Sequence, residues 1–91
     1  MNKPVNQTAH IQLIINNPCP FCDRAKVFLK NKGLKFDIID LTGNPSELNA
    51  WKNKTGWKTV PMILINDKLI GGYVDLKALE EEGQLDSMVM G

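Results

Sequence analysis

The sequence predicts an α/β domain built on one mixed four-stranded sheet with helices on both faces. Short apolar, β-branched segments alternate with stretches of helical periodicity, Gly and Pro punctuate each change, and no segment is left over. At 91 residues the chain suits a single domain, 1–91, and is too short for two. Residues 1–9 read as a loose N-terminal extension.

The elements follow in order. Ile11 to Ile15 is apolar apart from Gln12 and ends at Asn16, Asn17 and Pro18, the pattern of a buried strand. After Cys19, Phe21, Ala25, Phe28 and Leu29 recur at helical spacing until Gly33 stops the helix. Phe36 to Leu41 is a second strand with Phe36, Ile38 and Ile39 as inward members, and its helical connection makes it parallel to the first. Asn44 as N-cap, Pro45 at the first position and Glu47 announce a second helix, with Leu48 and Trp51 inward and Gly56 at its end. Val60 to Ile65 is a third strand, joined through Asn66 and Asp67 to an antiparallel fourth, Lys68 to Ile70. Gly71 and Gly72 break the chain before Asp75 caps a third helix carrying Leu76 and Leu79, stopped by Gly83. Leu85, Met88 and Val89 form a final amphipathic turn. The order is β-α-β-α-β-β-α plus that short helix.

Composition narrows the function. Eleven Lys and Arg against ten Asp and Glu leave a net charge of +1, with no electrostatic footprint for nucleic acid. Apolar runs such as Leu13 to Ile15 are far below the roughly 18 residues of a membrane span. The polar opening, with Pro4, lacks the apolar centre of a secretory signal, so the expected location is cytoplasmic. Two cysteines, Cys19 and Cys22, enclose only Pro20 and Phe21, a loop too short for stapling. With His10 they fall short of a structural zinc set, so no metal is expected. Between a strand and a helix, C-x-x-C reads as a thioredoxin-like redox pair.

Position gives the pair its chemistry. Cys19 begins a helix, where unpaired amides and the helix dipole favour a thiolate, the reactive form. Cys22 lies one turn on, where ideal β-carbon spacing of about 5–6 Å exceeds the roughly 3.5–4.5 Å of a disulfide. Closing the bond must therefore distort the turn, and the bond is expected to reduce easily. Cys19, at the exposed cap, is read as the attacking thiol and Cys22, beneath the helix, as the resolving one. Pro20 costs no hydrogen bond in the first turn and stiffens it. His10 is read as exposed and Glu80 to Glu82 as a solvated helix face. Pro61, from the residues alone, opens a strand where no donor is needed.

With C-P-F-C after a strand, the chain resembles the dithiol glutaredoxins. Thr59, Val60 and Pro61 match that family's T-V-P, Gly71 to Asp75 match its G-G-x-x-D ahead of a helix, and the likeness spans Ile11 to Leu85. The resemblance implies a thioredoxin-like fold with a cis Val60–Pro61 bond facing the cysteines. It implies glutathione as co-substrate, with no bound cofactor. Val60 would pair its backbone with the cysteinyl part of that tripeptide, Lys58 would meet the glycyl carboxylate, and Gly72, Val74 and Asp75 would receive the γ-glutamyl end. Phe21 and Thr59 complete the implied glutathione site, and Trp57 could add apolar surface to its rim.

The chain departs from the family at Asn16, where Lys or Arg is common, at Asn17–Pro18, and at Val74, where a polar side chain is usual. Depression of the Cys19 pKa then falls to the helix terminus, with Lys58 or Arg24 as helpers, and weaker glutathione binding would follow. The resemblance implies an oxidoreductase that reduces protein disulfides and protein–glutathione mixed disulfides; a monomer is expected, and composition leaves neither nucleic acid nor membrane as partner. The alternatives are a thioredoxin-reductase-coupled hydrogen donor for ribonucleotide reductase, and an iron–sulfur carrier, which Pro20 disfavours.

Overall fold

The computed structural model describes residues 7–90. Its elements are β1 (Ile11–Ile15), α1 (Pro20–Asn31), β2 (Asp37–Asp40), α2 (Pro45–Thr55), β3 (Met62–Ile65), β4 (Lys68–Gly71), α3 (Tyr73–Glu81) and α4 (Leu85–Val89). The sheet order is β2-β1-β3-β4, with β1 parallel to β2 and antiparallel to β3, and β3 antiparallel to β4. This is the predicted architecture.

The continuous apolar character of β1 is explained by its place inside the sheet, covered on both faces. Leu13 points into a large core with Ala25 and Leu29 of α1, Leu76 of α3, and Leu85 and Val89 of α4. Its neighbour Ile14 points the other way, onto Met62, Leu64 and Leu48 of α2, with Trp51 packed against them. Alternation along one strand thus divides the helices between two layers.

Alternation also corrects the second strand. Leu13 pairs with Ile38 and Ile14 with Ile39, so Ile38 and Ile39 face opposite sides, and at the edge of the sheet only the side of Ile39 is covered. On this outermost strand Ile38 is 46% exposed, while Phe36 and Ile39 are half-buried. The third strand begins at Met62, leaving Val60 and Pro61 in the preceding loop. Asn66 and Asp67 make the hairpin turn with positive φ of 51° and 65°.

The α2 cap follows the sequence closely. The Asn44 side chain accepts from the Glu47 amide at 3.3 Å, and Pro45 opens α2. The N-terminal extension expected over 1–9 lies outside the described residues for 1–6. Gln7 to Ala9, however, are held: Thr8 N–H donates to the Val89 carbonyl at 2.9 Å, and Gln7 bridges to Met90. The Gln7 amide also donates to the Lys35 carbonyl and accepts from its N–H, both at 2.7 Å.

Two surface readings change. His10 is exposed, as expected, but its Nε2 contacts Asp37 at 2.5 Å. Glu80 is not merely solvated: its carboxylate meets Lys32 Nζ at 2.6 Å, with Asp86 on the same ammonium at 3.0 Å. Burial pushes the Lys32 pKa down, yet hydrogen bonds from its ammonium to Glu80 and Asp86 outweigh it and hold the value above normal. No helix of the described residues is long and apolar enough to cross a membrane.

Candidate redox site

Three segments meet at the end of the sheet where β1 stops and β3 begins: the start of α1, the loop before β3, and the turn between β4 and α3. Cys19 and Cys22 are joined by a disulfide with Cα atoms 5.1 Å apart. Cys19 is the N-cap of α1, in extended conformation, and its Sγ accepts from the Cys22 amide at 3.0 Å. That contact places the sulfur at the amide-rich end of the helix, where negative charge is favoured. Cys19 is more enclosed than an exposed cap suggests, at 8% accessible, but Cys22 is sealed at 0%. The expected asymmetry of the pair survives as a difference in access.

The loop before β3 supplies one wall. The Val60–Pro61 bond is cis, as the resemblance implies, and Asn17–Pro18 is a second cis bond that no sequence reading foresaw. Among the described residues neither the Val60 N–H nor its carbonyl has a backbone partner. The opposite wall is the start of α3, where a correction applies: the N-cap is Gly72, and Asp75 is the third helical residue. Its Oδ2 accepts from the Gly72 N–H at 2.9 Å, the reciprocal half of a capping box. Gly71 makes this possible. It has φ +123°, and a β carbon there would sit 2.6 Å from the Asp75 carboxyl carbon. The spacing of G-G-x-x-D is thus a backbone turn folded around a carboxylate.

Between these walls lies a hollow of about 360 Å³. Of the predicted contact residues, Phe21, Thr59, Val60, Pro61, Gly72, Val74 and Asp75 all line it, whereas Lys58 is exposed and outside the lining. Trp57, expected only at the rim, forms part of the wall, and its indole Nε1 is buried without a hydrogen-bond partner among the described residues. Tyr73 is the lining residue that sequence reading missed. It sits at a variable position of G-G-x-x-D, and only its place between Gly72 and Val74 could have flagged it. Val74 is 70% exposed and Phe21 49%, so the rim is apolar. Arg24 does not form an ion pair among the described residues; its guanidinium carbon rests 5.1 Å from the centre of the Phe21 ring.

Comparison with known proteins decides the family. A glutaredoxin family model matches residues 11–70. The chain belongs to the glutaredoxin family. Glutaredoxin 3 of Escherichia coli strain K12 is 36% identical over 81 residues, covering 89% of this chain and 98% of that protein. The solution structure of glutaredoxin from Brucella melitensis superposes with a TM-score of 0.78 at 36% identity, covering 96% of this chain and 94% of its own. A buckwheat glutaredoxin–glutathione complex shares the fold, with a TM-score of 0.82 at 24% identity over 93% of this chain and 80% of its own. The protein is accordingly a glutathione-related thiol–disulfide oxidoreductase, and the Cys19–Cys22 pair is its C-x-x-C motif.

Proposed function

We propose that the protein uses glutathione to reduce protein disulfides and protein–glutathione mixed disulfides, with Cys19 attacking and Cys22 resolving. The observation that carries this reading is the difference between the two cysteines. Cys19 caps α1 and keeps some access, while Cys22 is wholly enclosed. An external disulfide meets Cys19 first.

The steps balance as exchanges. The Cys19 thiolate attacks the glutathione sulfur of a protein–glutathione disulfide; a Cys19–glutathione disulfide forms and the protein leaves as a thiolate, which takes up a proton. A second glutathione thiolate then attacks the same glutathione sulfur, releasing glutathione disulfide and regenerating the Cys19 thiolate. Alternatively Cys22, as thiolate, attacks Cys19, expels glutathione and leaves the internal disulfide. Two further glutathiones reduce that bond.

The hollow of about 360 Å³ suits a tripeptide. Val60 offers its unpaired N–H and carbonyl to the cysteinyl backbone, and the first amides of α3 offer donors to a carboxylate. Asp75 divides its carboxylate between Gly72 and the γ-glutamyl ammonium, and Lys58 reaches the glycyl carboxylate from outside the hollow. The buckwheat relative's complex with glutathione supports this choice of ligand. A chain whose only cysteines are the redox pair suits a reducing compartment, and we assign it to the cytoplasm.

The test is turnover of a glutathionylated substrate coupled to NADPH through glutathione reductase. Cys19→Ser is expected to be inactive, and Cys22→Ser to retain the glutathione-only route. Equal loss in both variants would overturn the assigned roles.

A further inference from the structure

We propose that a second hollow, on the outer face of α1, docks the polypeptide of the protein substrate, and specifically an apolar side chain about four residues from its reacting cysteine. This rests on the glutathione reading above and names the substrate feature that the same site selects.

The hollow has a volume of about 370 Å³ and is lined by Asp23, Arg24, Val27, Phe28, Asn31 and Tyr73. It adjoins the first hollow across Tyr73, which lines both. The Tyr73 ring lies 6.2 Å from Phe21 on one side and 6.4 Å from Phe28 on the other, so one aromatic ridge runs from the disulfide to the outer face. Exposed large apolar side chains among the described residues are few: Phe21, Val27, Ile38, Val74 and Met88. Phe21, Val27 and Val74 border these two hollows. Exposed apolar surface concentrated in this way marks a contact site rather than ordinary scatter.

The occupant follows from the covalent chemistry. A tripeptide fills the first hollow, so the rest of a polypeptide joined at the reacting sulfur must extend past it, and the adjoining apolar surface lies across Tyr73. Val27 stands eight residues along the helix from Cys19, about 12 Å at 1.5 Å per residue. About four extended residues span that distance. On the way, the chain passes Arg24, whose charge is unmatched by any acidic side chain among the described residues and favours an acidic residue close to the substrate cysteine.

The test uses two short peptides glutathionylated on a single cysteine, one with Leu about four residues to either side and the other with Ser there. Wild type should turn over the Leu peptide with kcat/KM about tenfold higher, the ratio that partial burial of a leucine supports. Val27→Glu should abolish that preference while leaving the Ser peptide unchanged, and Val27→Leu should keep it. Equal rates for the two peptides with wild type, or a loss on both alike in Val27→Glu, would overturn the docking proposal. A dimer broken by Val27→Glu in sedimentation, with no peptide preference, would assign the face to a second copy instead. Failure of wild type on both peptides would sink the glutathione reading, and this proposal with it.

Discussion

The two ends of the sheet differ in how far their polar groups are bonded to one another. At the end away from the disulfide, Gln7 ties the chain to Lys35, His10 meets Asp37, and the His10 N–H donates to the Asn66 side chain at 2.9 Å. At the redox end, Val60 keeps its backbone groups free, Trp57 hides an unmatched N–H, and Arg24 has only an aromatic face. The first end, although it too has a shallow hollow and one oxygen on Gln12 without a partner among the described residues, ties its chain segments to one another and contributes stability. The other leaves donors, acceptors and apolar surface for something that arrives, and that contrast locates the function without reference to any relative.

The comparison breaks most sharply at Gly71. Gly71→Ala must carry a β carbon at positive φ and displace the Asp75 carboxylate, at a cost of about 2 kcal/mol. The expected result is a lower melting temperature together with a raised KM for glutathione, because the start of α3 moves. Gln7→Ala probes the end away from the disulfide. It removes bonds to the Lys35 backbone and is expected to cost about 1 kcal/mol, lowering Tm by roughly 4–8 °C with kcat/KM unchanged. If Gln7→Ala impaired turnover as much as stability, the division between the two ends would fail.

Smaller effects sharpen it. Trp57→Phe deletes the buried, partnerless N–H, an atom whose burial costs about 1–3 kcal/mol. That gain should offset the lost ring area, so Tm is expected to hold or rise while the KM for glutathione changes. Lys32 has a raised pKa, so its ion pairs with Glu80 and Asp86 stabilise the fold below the ordinary value of 10.5 and are lost as pH rises through the higher folded value. Urea denaturation should show stability falling on that alkaline limb, and less so in Lys32→Met. Asp40 gives the least. Bonds from the Thr42 hydroxyl, then the Thr42 amide, lower its pKa, so its contribution is present above 3.8 and fades as pH falls through the lower folded value. Thr42→Val, which deletes the hydroxyl bond and keeps the amide bond, should weaken that faint acid dependence.

Much of this was legible in the residues. Period-2 and period-3.6 patterns, with Asn44, Pro45 and the Asn66–Asp67 turn, placed every element, because those signals act locally on the backbone. The cysteine pair was legible for the same reason. What escaped depends on neighbours remote in sequence. That Ile38 would lie open follows from β2 being outermost, a matter of strand order. Glu80 found Lys32 across 48 residues, and Tyr73 became a wall of both hollows only when α3 packed beside α1. The Gly72 cap, with Asp75 folded back on it, required the positive φ of Gly71, which G-G-x-x-D permits but does not announce.

The outermost strand has one more implication. Ile38 is flanked by Asp37 and, two residues on, by Asp40, while Lys68 opens the strand at the other border of the sheet. Charged side chains there discourage a foreign strand from adding to the ladder. Guarded borders of this kind keep a small sheet from pairing with a second copy, or with any extended backbone it meets.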